Sequence, residues 1–284
     1  MRAILIPAII VLVGSLQAVA TGKVRVLTSF LPLYCFAANV AGTAAEVENL
    51  FPPGVGPHNY QLSVRDRQRI NSANVVVLNG LGIDGWTEPV LRSVKAKTVV
   101  VSAGLSNELI RTETRRPNPH IWLDPALAMS CVSNIASALI ETDATNKGDY
   151  LQGASNYVAR LQKLDEELRF GLAPYEGAKI VTFHDSFRYF TRRYGLVIAG
   201  VIEEVPDVSP SPRDLARLYK IVRETKPKAI FTEPQFSPRL ARQIGADLKV
   251  PVTALNTLET GPLNSDAYEQ IMRENLRVLQ EALK

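Results

Sequence analysis

Short hydrophobic runs alternate with amphipathic stretches along the chain from residue 24 onward. The run Val75–Leu78 is apolar without interruption, which is typical of a strand buried on both faces of a parallel sheet. Strands that alternate with helices need crossover connections, so the pattern predicts βα units around a parallel sheet. In the first half we predict strands at 24–28, 45–50, 75–78 and 98–101, and helices at 31–40, 63–73 and 125–140.

The same rhythm restarts after Gly177. We predict strands at 179–183, 196–201, 229–232 and 252–255, and helices at 187–194, 212–224, 238–248 and 266–283. Four strands in each half predict two similar α/β lobes, each with a mainly parallel four-stranded sheet flanked by helices.

Residues 146–170 have a different pattern, with apolar side chains at steps of three and four among many charges. This predicts one amphipathic helix of about 37 Å at 1.5 Å per residue. It fits a stiff connector between two lobes, and it fits equally a long helix packed within one domain. The predicted organisation is a signal peptide at 1–20, an N-terminal lobe at 21–143, a linking helix at 144–174 and a C-terminal lobe at 175–284.

The N-terminus has the features of a secretory signal peptide. Arg2 precedes an apolar run at 3–16, and Ala18-Val19-Ala20 forms a small-x-small cleavage pattern. The run is shorter than the roughly 20 residues of a spanning helix, so we expect cleavage after Ala20. Cys35 lies too far inside to be a lipid-attachment site, so the mature protein should be soluble and periplasmic.

The distribution of charged residues argues against a nucleic-acid-binding protein, and the two cysteines leave their redox state open. The 32 basic and 28 acidic side chains are scattered, and the net charge of +4 contains no basic block of the kind that binds nucleic acid. Cys35 and Cys131 lie in apolar, helical stretches, where a disulfide and two buried free thiols are both consistent with the sequence.

All three histidines stand where a predicted strand ends. His58 follows the second strand in a loop rich in proline and glycine, His120 follows the fourth, and His184 follows the fifth. Ligands of open parallel sheets bind beyond the carboxyl ends of the strands, where Glu233, Asn256 and Glu259 are also expected. Three imidazoles and one oxygen or water fill a tetrahedral zinc shell, so the sequence predicts a metal site between the lobes.

Four motifs together resemble the zinc- and manganese-binding solute-binding proteins of ABC transporters, from about residue 24 to the C-terminus. The motifs are Pro57-His58-Asn59-Tyr60, Asn118-Pro119-His120-Ile121-Trp122-Leu123-Asp124-Pro125, Phe183-His184-Asp185-Ser186-Phe187-Arg188-Tyr189-Phe190 and Phe231-Thr232-Glu233-Pro234-Gln235-Phe236. The resemblance implies two α/β lobes joined by a rigid helix, one metal ion in the cleft, and delivery of that ion to a membrane permease. We expect a monomeric binding protein without catalytic activity.

The resemblance also implies the ligands. His58 and His120 correspond to the ligands of the N-terminal lobe, and His184 to the first ligand of the C-terminal lobe. The identity of the fourth ligand is not decided by the resemblance, because this chain has Asn256 where the family commonly has aspartate. Glu259 or water are alternatives, and Glu233 is a further acidic candidate that resembles a supporting residue. Asp185 is expected to orient a neighbouring imidazole.

Ligand type favours Zn²⁺ over Mn²⁺, because three imidazoles suit zinc whereas manganese favours oxygen-rich shells. The chain lacks the His- and Asp-rich loop that zinc-uptake members often carry, and Mn²⁺ is the alternative. A zinc hydrolase is the competing class, but the chain has neither a His-Glu-x-x-His nor a Gly-x-Ser-x-Gly motif. A surface adhesin or lipoprotein is disfavoured by the missing lipid-attachment cysteine.

Overall fold

The computed structural model describes residues 22–52, 54–58, 60–112, 115–203 and 208–284. The predicted signal peptide at 1–20 lies outside the described residues. The first half contains four strands, β1 (Val24–Thr28), β2 (Ala45–Asn49), β3 (Val75–Leu78) and β4 (Lys97–Val100), with the helices α1 (Leu31–Ala41), α2 (Val64–Ser72), α3 (Glu88–Leu91) and α4 (Pro125–Thr142).

A long helix, α5 (Lys147–Leu172), leads to the second half. There the strands are β5 (Lys179–His184), β6 (Val197–Glu203), β7 (Ala229–Thr232) and β8 (Val252–Ala254), and the helices are α6 (Arg188–Tyr194), α7 (Pro212–Thr225), α8 (Arg239–Leu248) and α9 (Ala267–Ala282). The predicted elements are present in this order. The sequence pattern did not reveal α3, a single turn of helix with Pro89 near its start.

Each half forms one parallel sheet of four strands. The order is β2-β1-β3-β4 in the first sheet and β6-β5-β7-β8 in the second, so the two halves have the same topology. In both sheets the chain starts at an inner strand, moves to one edge, and then crosses to the other side. The predicted fold class, two parallel four-stranded sheets with flanking helices and one long helix, is confirmed.

Helix α5 links the two sheets and packs against helices that flank them. Its buried stripe includes Tyr157, Leu161, Leu164 and Leu168, and this stripe packs against α1, α4 and α9. A continuous apolar core runs from the first sheet across α5 to the second half, and a smaller cluster packs α7 and α8 on the second sheet. We propose 21–143 and 175–284 as the lobe boundaries, with 144–174 as the link.

Cys35 and Cys131 are both buried and free, and burial raises the pKa of each thiol to about 12. Within the described part of the chain, no helix combines the length and apolar character needed to cross a bilayer.

Candidate metal centre

The loop after β2 carries the first histidine. Trp86 donates its indole N–H to the main-chain oxygen of Pro57 at 3.3 Å, and the rings of Phe51, Tyr60 and Trp86 each contact the other two. These contacts hold the loop against the first lobe. The His58 side chain is 19% exposed, more than those of the other residues of the centre.

The second histidine is fixed by the residue two positions before it. The carboxamide oxygen of Asn118 accepts from the main-chain N–H of His120 at 3.0 Å and lies 2.8 Å from its Nδ1. Asn79 supports the same turn by donating to the main-chain oxygen of Pro119 at 3.0 Å. With Nδ1 protonated toward Asn118, the Nε2 lone pair of His120 points into the cleft.

Trp122 packs beneath this loop. It is fully buried, meets the His120 ring edge-on at 5.1 Å, and donates its indole N–H to the main-chain oxygen of Thr257 at 2.8 Å. The loop then enters α4, where Asp124 accepts from the Ala126 N–H and Pro125 occupies the first turn. The His120 loop is therefore anchored to both halves of the chain.

His184 is the last residue of β5, and Glu233 follows β7, the neighbouring strand. The Glu233 carboxylate lies 2.7 Å from Nδ1 of His184 and accepts from its main-chain N–H at 3.1 Å. Both side chains are buried. The carboxylate thus fixes the ring so that Nε2 faces His120 at 3.0 Å.

Glu259 enters the cleft from the loop that follows β8. The carboxamide oxygen of Asn256 accepts from the Leu258 N–H at 2.7 Å, and Leu258 has a positive φ of 64°. This turn directs the buried Glu259 side chain toward the three imidazoles. Its Oε1 atom lies 3.1 Å from Nε2 of His58, 3.3 Å from that of His120 and 3.5 Å from that of His184.

The four donor atoms form the outline of a tetrahedron. Among the described residues, His58, His120, His184 and Glu259 are the one group of at least three His, Cys, Asp or Glu side chains with ligand atoms within 4.8 Å of one another. Five of the six separations lie between 3.0 and 3.5 Å. Zinc bonds of 2.0–2.1 Å in a tetrahedron require edges of about 3.3–3.4 Å, so an ion of that size fits between these atoms.

Burial and the charges of neighbouring side chains shift the pKa values of three of the four donor residues. Burial lowers the pKa of His120 to about 3, which keeps that imidazole neutral. Burial also disfavours charge on His184, but Glu233 and Glu259 outweigh it and raise the pKa of this imidazole to about 10. Burial opposes ionisation of Glu259, yet the three histidines hold its pKa well below the ordinary value. A bound cation would displace the proton from His184 and compensate the carboxylate.

Residues 26–282 match the model of the family described as zinc-uptake complex component A, periplasmic. The chain belongs to this family. Membership confirms the interpretation as a metal-binding component of an uptake system rather than an enzyme, and it confirms a location outside the cytoplasm. The zinc-uptake family also agrees with the ligand-based preference for zinc.

Three relatives illustrate the similarity. The high-affinity zinc uptake system protein ZnuA of Bacillus subtilis is 28% identical over 280 residues, which cover 92% of this chain and 88% of that protein. The structure of Zn(II)-bound AdcA from Streptococcus pneumoniae has a TM-score of 0.80 at 29% identity, with 92% of this chain and 58% of AdcA covered. FpvC from Pseudomonas aeruginosa in complex with Mn²⁺ has a TM-score of 0.84 at 28% identity, with 92% and 98% covered. This chain therefore spans little more than half of AdcA.

The structure sorts the sequence-predicted site residues into two groups. It brings His58, His120, His184 and Glu259 together, while Glu233 lies behind His184. Asn256 supports the Glu259 turn, and its main chain is bound by the Asn275 side chain. Metal ligation by any of these residues stays a prediction.

One predicted contact is wrong, and two residues that support the centre were not predicted. Asp185 binds Arg188 at 2.5 Å and Asn118 rather than an imidazole, because Asn118 and Glu233 already occupy the Nδ1 positions of His120 and His184. The missed residues are Asn118 and Gln235. Asn118 had a local signal, since an asparagine two positions before a histidine can accept from that histidine's main-chain N–H.

Proposed function

We propose that this protein captures one Zn²⁺ ion through His58, His120, His184 and Glu259 in the cleft between its lobes and delivers it to the permease of an ABC transporter. The observation that carries the proposal is the arrangement of three imidazole nitrogens and one carboxylate oxygen at separations that fit a tetrahedral ion. Each lobe supplies two of the four donors, so the bound ion would bridge them.

The donor set supports zinc over manganese. Three nitrogens and one oxygen match zinc, whereas manganese favours oxygen ligands and a larger shell. The relatives described as zinc uptake and zinc-binding proteins support the same choice, and the Mn²⁺ complex of FpvC makes manganese the alternative to test. Glu259 in the fourth position also distinguishes this centre from a hydrolytic zinc site, which leaves that position to water.

The finer features of the proposal come from the sequence. We infer cleavage of the signal peptide after Ala20, a mature chain without a lipid anchor, and a monomer that meets its permease at the membrane. A lipoprotein among the relatives, AdcA of Streptococcus pneumoniae, makes the anchor a point to test by mass spectrometry of the exported protein.

The deciding experiment is a metal titration of residues 21–284 after chelator treatment. We expect one tightly bound Zn²⁺ per chain, weaker Mn²⁺ binding, and loss of stoichiometric zinc retention in His120→Ala. Unchanged zinc binding in that variant would overturn the site. In the source organism, deletion of the gene should slow growth in zinc-depleted medium, and added zinc, but not manganese, should restore it.

A further inference from the structure

We infer that Gln235 is a positioning residue that determines metal specificity, because it holds one carboxylate oxygen of Glu259 and leaves the other for the ion. The inference rests on the proposed zinc function and concerns how the centre selects its metal.

The side-chain amide of Gln235 stands between the two buried carboxylates of the centre. Its Nε2 lies 3.1 Å from Oε2 of Glu259 and 3.0 Å from Oε2 of Glu233, and the hydroxyl oxygen of Thr257 is also 3.0 Å away. Carboxylates accept hydrogen bonds and an amide NH₂ donates two, so the two acidic groups determine which end of the amide faces them. The reverse orientation would place the amide oxygen against both carboxylates.

This orientation has a cost elsewhere in the side chain. The Oε1 atom of Gln235 is buried and has no hydrogen-bond partner in the described structure. A buried acceptor without a partner destabilises the folded protein, because it has given up its hydrogen bonds to water. The amide is therefore held by its donor side, which is the side that faces Glu233 and Glu259.

The contact makes the two oxygens of Glu259 unequal. Oε1 lies within 3.5 Å of Nε2 of all three histidines, whereas Oε2 points away to Gln235 and the main chain at Gly56. Oε2 lies beside Gly56, where a Cβ atom would be 3.6 Å from it, an ordinary van der Waals distance. Glu259 is thus oriented to bind an ion through one oxygen, Oε1.

A one-oxygen carboxylate with three imidazoles closes a four-coordinate shell, which zinc accepts and manganese does not favour. Without the amide, Oε2 is free to turn toward the ion and raise the coordination number. Gln235 also contacts Glu233, which fixes the ring of His184, so one amide restrains two arms of the centre. Loss of such a supporting hydrogen bond typically costs about 10–100-fold in metal affinity.

The test uses Gln235→Met, which keeps an unbranched side chain and removes the donor. The matched control is Gln243→Met, because Gln243 is exposed on α8 in the same lobe. Residues 21–284 of each form are titrated with Zn²⁺, Mn²⁺ and Co²⁺, and the visible spectrum of the Co²⁺ complex reports the coordination number. We expect intense four-coordinate bands in the wild type and in the control. In Gln235→Met we expect weaker bands of higher coordination and a fall of about tenfold or more in the ratio of Zn²⁺ to Mn²⁺ affinity.

Two other results would overturn the inference about Gln235, and a third would overturn the proposed function. An unchanged Co²⁺ spectrum with an equal loss of Zn²⁺ and Mn²⁺ affinity would make Gln235 a merely structural residue, and higher coordination already in the wild type would also overturn the inference. A wild type that binds no zinc would instead overturn the proposed function. If Gln235→Met fails to fold, as judged by circular dichroism, the same measurements on Gln235→Leu decide the question.

Discussion

The side-chain amide of Asn118 donates to the main-chain oxygen of Asp185 at 2.6 Å, and this bond joins the residue before Pro119-His120 to the residue after His184. The same asparagine accepts from His120 through its oxygen, and its main-chain oxygen accepts from the Tyr189 hydroxyl at 2.8 Å. One buried side chain therefore sets both the orientation of His120 and its distance from His184.

We predict that Asn118→Ala lowers zinc affinity by about 10–100-fold, because Nδ1 of His120 loses its acceptor and the two lobes lose a shared hydrogen bond. Competition against a zinc chelator measures the change. Asn107→Ala, at an exposed position of the same segment, is the control and should bind zinc like the wild type. Equal affinities in all three proteins would contradict the role assigned to Asn118.

The fourth ligand is tested by a pair of variants. Glu259→Gln keeps the shape of the side chain but removes the charge that faces three imidazoles, so zinc affinity should fall by about 100-fold or more. Asn256→Ala removes the acceptor for the Leu258 N–H, and we expect a lower melting temperature with a smaller change in affinity. The melting temperature is compared in the metal-free proteins. A larger affinity loss in Asn256→Ala than in Glu259→Gln would assign the fourth position to Asn256.

The sequence predicts the two sheets and the longer helices because each of these elements carries a local signal. The unbroken apolar run of β3 and the Asp124-Pro125 start of α4 depend on neighbouring residues only, so their bounds agree closely with the structure. The single turn α3 has too few residues for a periodic pattern, and it was missed for that reason.

The sequence predicts that the three histidines belong to the site, but it does not decide which residue supplies the oxygen. The carboxyl ends of parallel strands lie at one edge of a sheet, so His58, His120 and His184 could be expected to converge. The choice between Asn256 and Glu259 depends on a turn in which Leu258 takes a positive φ, and no local rule assigns that conformation to leucine. The contacts of Gln235 join residues 22 and 24 positions away, and the sequence alone gives no sign of them.

The packing of α5 on α1 depends on a glycine. A Cβ atom at Gly153 would press against the main-chain oxygen of Val40 and lie 2.8 Å from that of Asn39, and neither oxygen can move without shifting α1. We predict that Gly153→Ala lowers the free energy of unfolding by about 1–3 kcal/mol. Gly148→Ala, in the first turn of the same helix with no atom within 4 Å of the new Cβ, should instead raise it by up to about 1 kcal/mol. Urea denaturation of the metal-free proteins distinguishes the two, and a gain in both would show that the helices do not approach this closely.

The ion pair between Asp165 and Arg193 should make the stability of the folded protein depend on pH. Asp165 on α5 is buried, which by itself raises the pKa of a carboxyl group. Arg193 binds both of its oxygens, at 2.5 and 2.6 Å, and with Tyr194 and Arg169 it holds the pKa of Asp165 below the ordinary value. Arg193 also lies 3.2 Å from Asp124, the cap of α4.

A carboxylate whose pKa is lowered in the folded state stabilises that state at pH values above its unfolded pKa, and this contribution is lost as pH falls through the folded pKa. We therefore predict that Asp165→Asn is less stable than the wild type at pH 7, by about 1–3 kcal/mol, and that the difference shrinks once the pH falls below about 4. Urea denaturation at a series of pH values measures it. Asp149→Asn, at an exposed position in the first turn of α5, is the control. A difference between Asp165→Asn and the wild type that stays constant down to acid pH would mean that the Asp165 carboxylate acts through its shape and not through its charge.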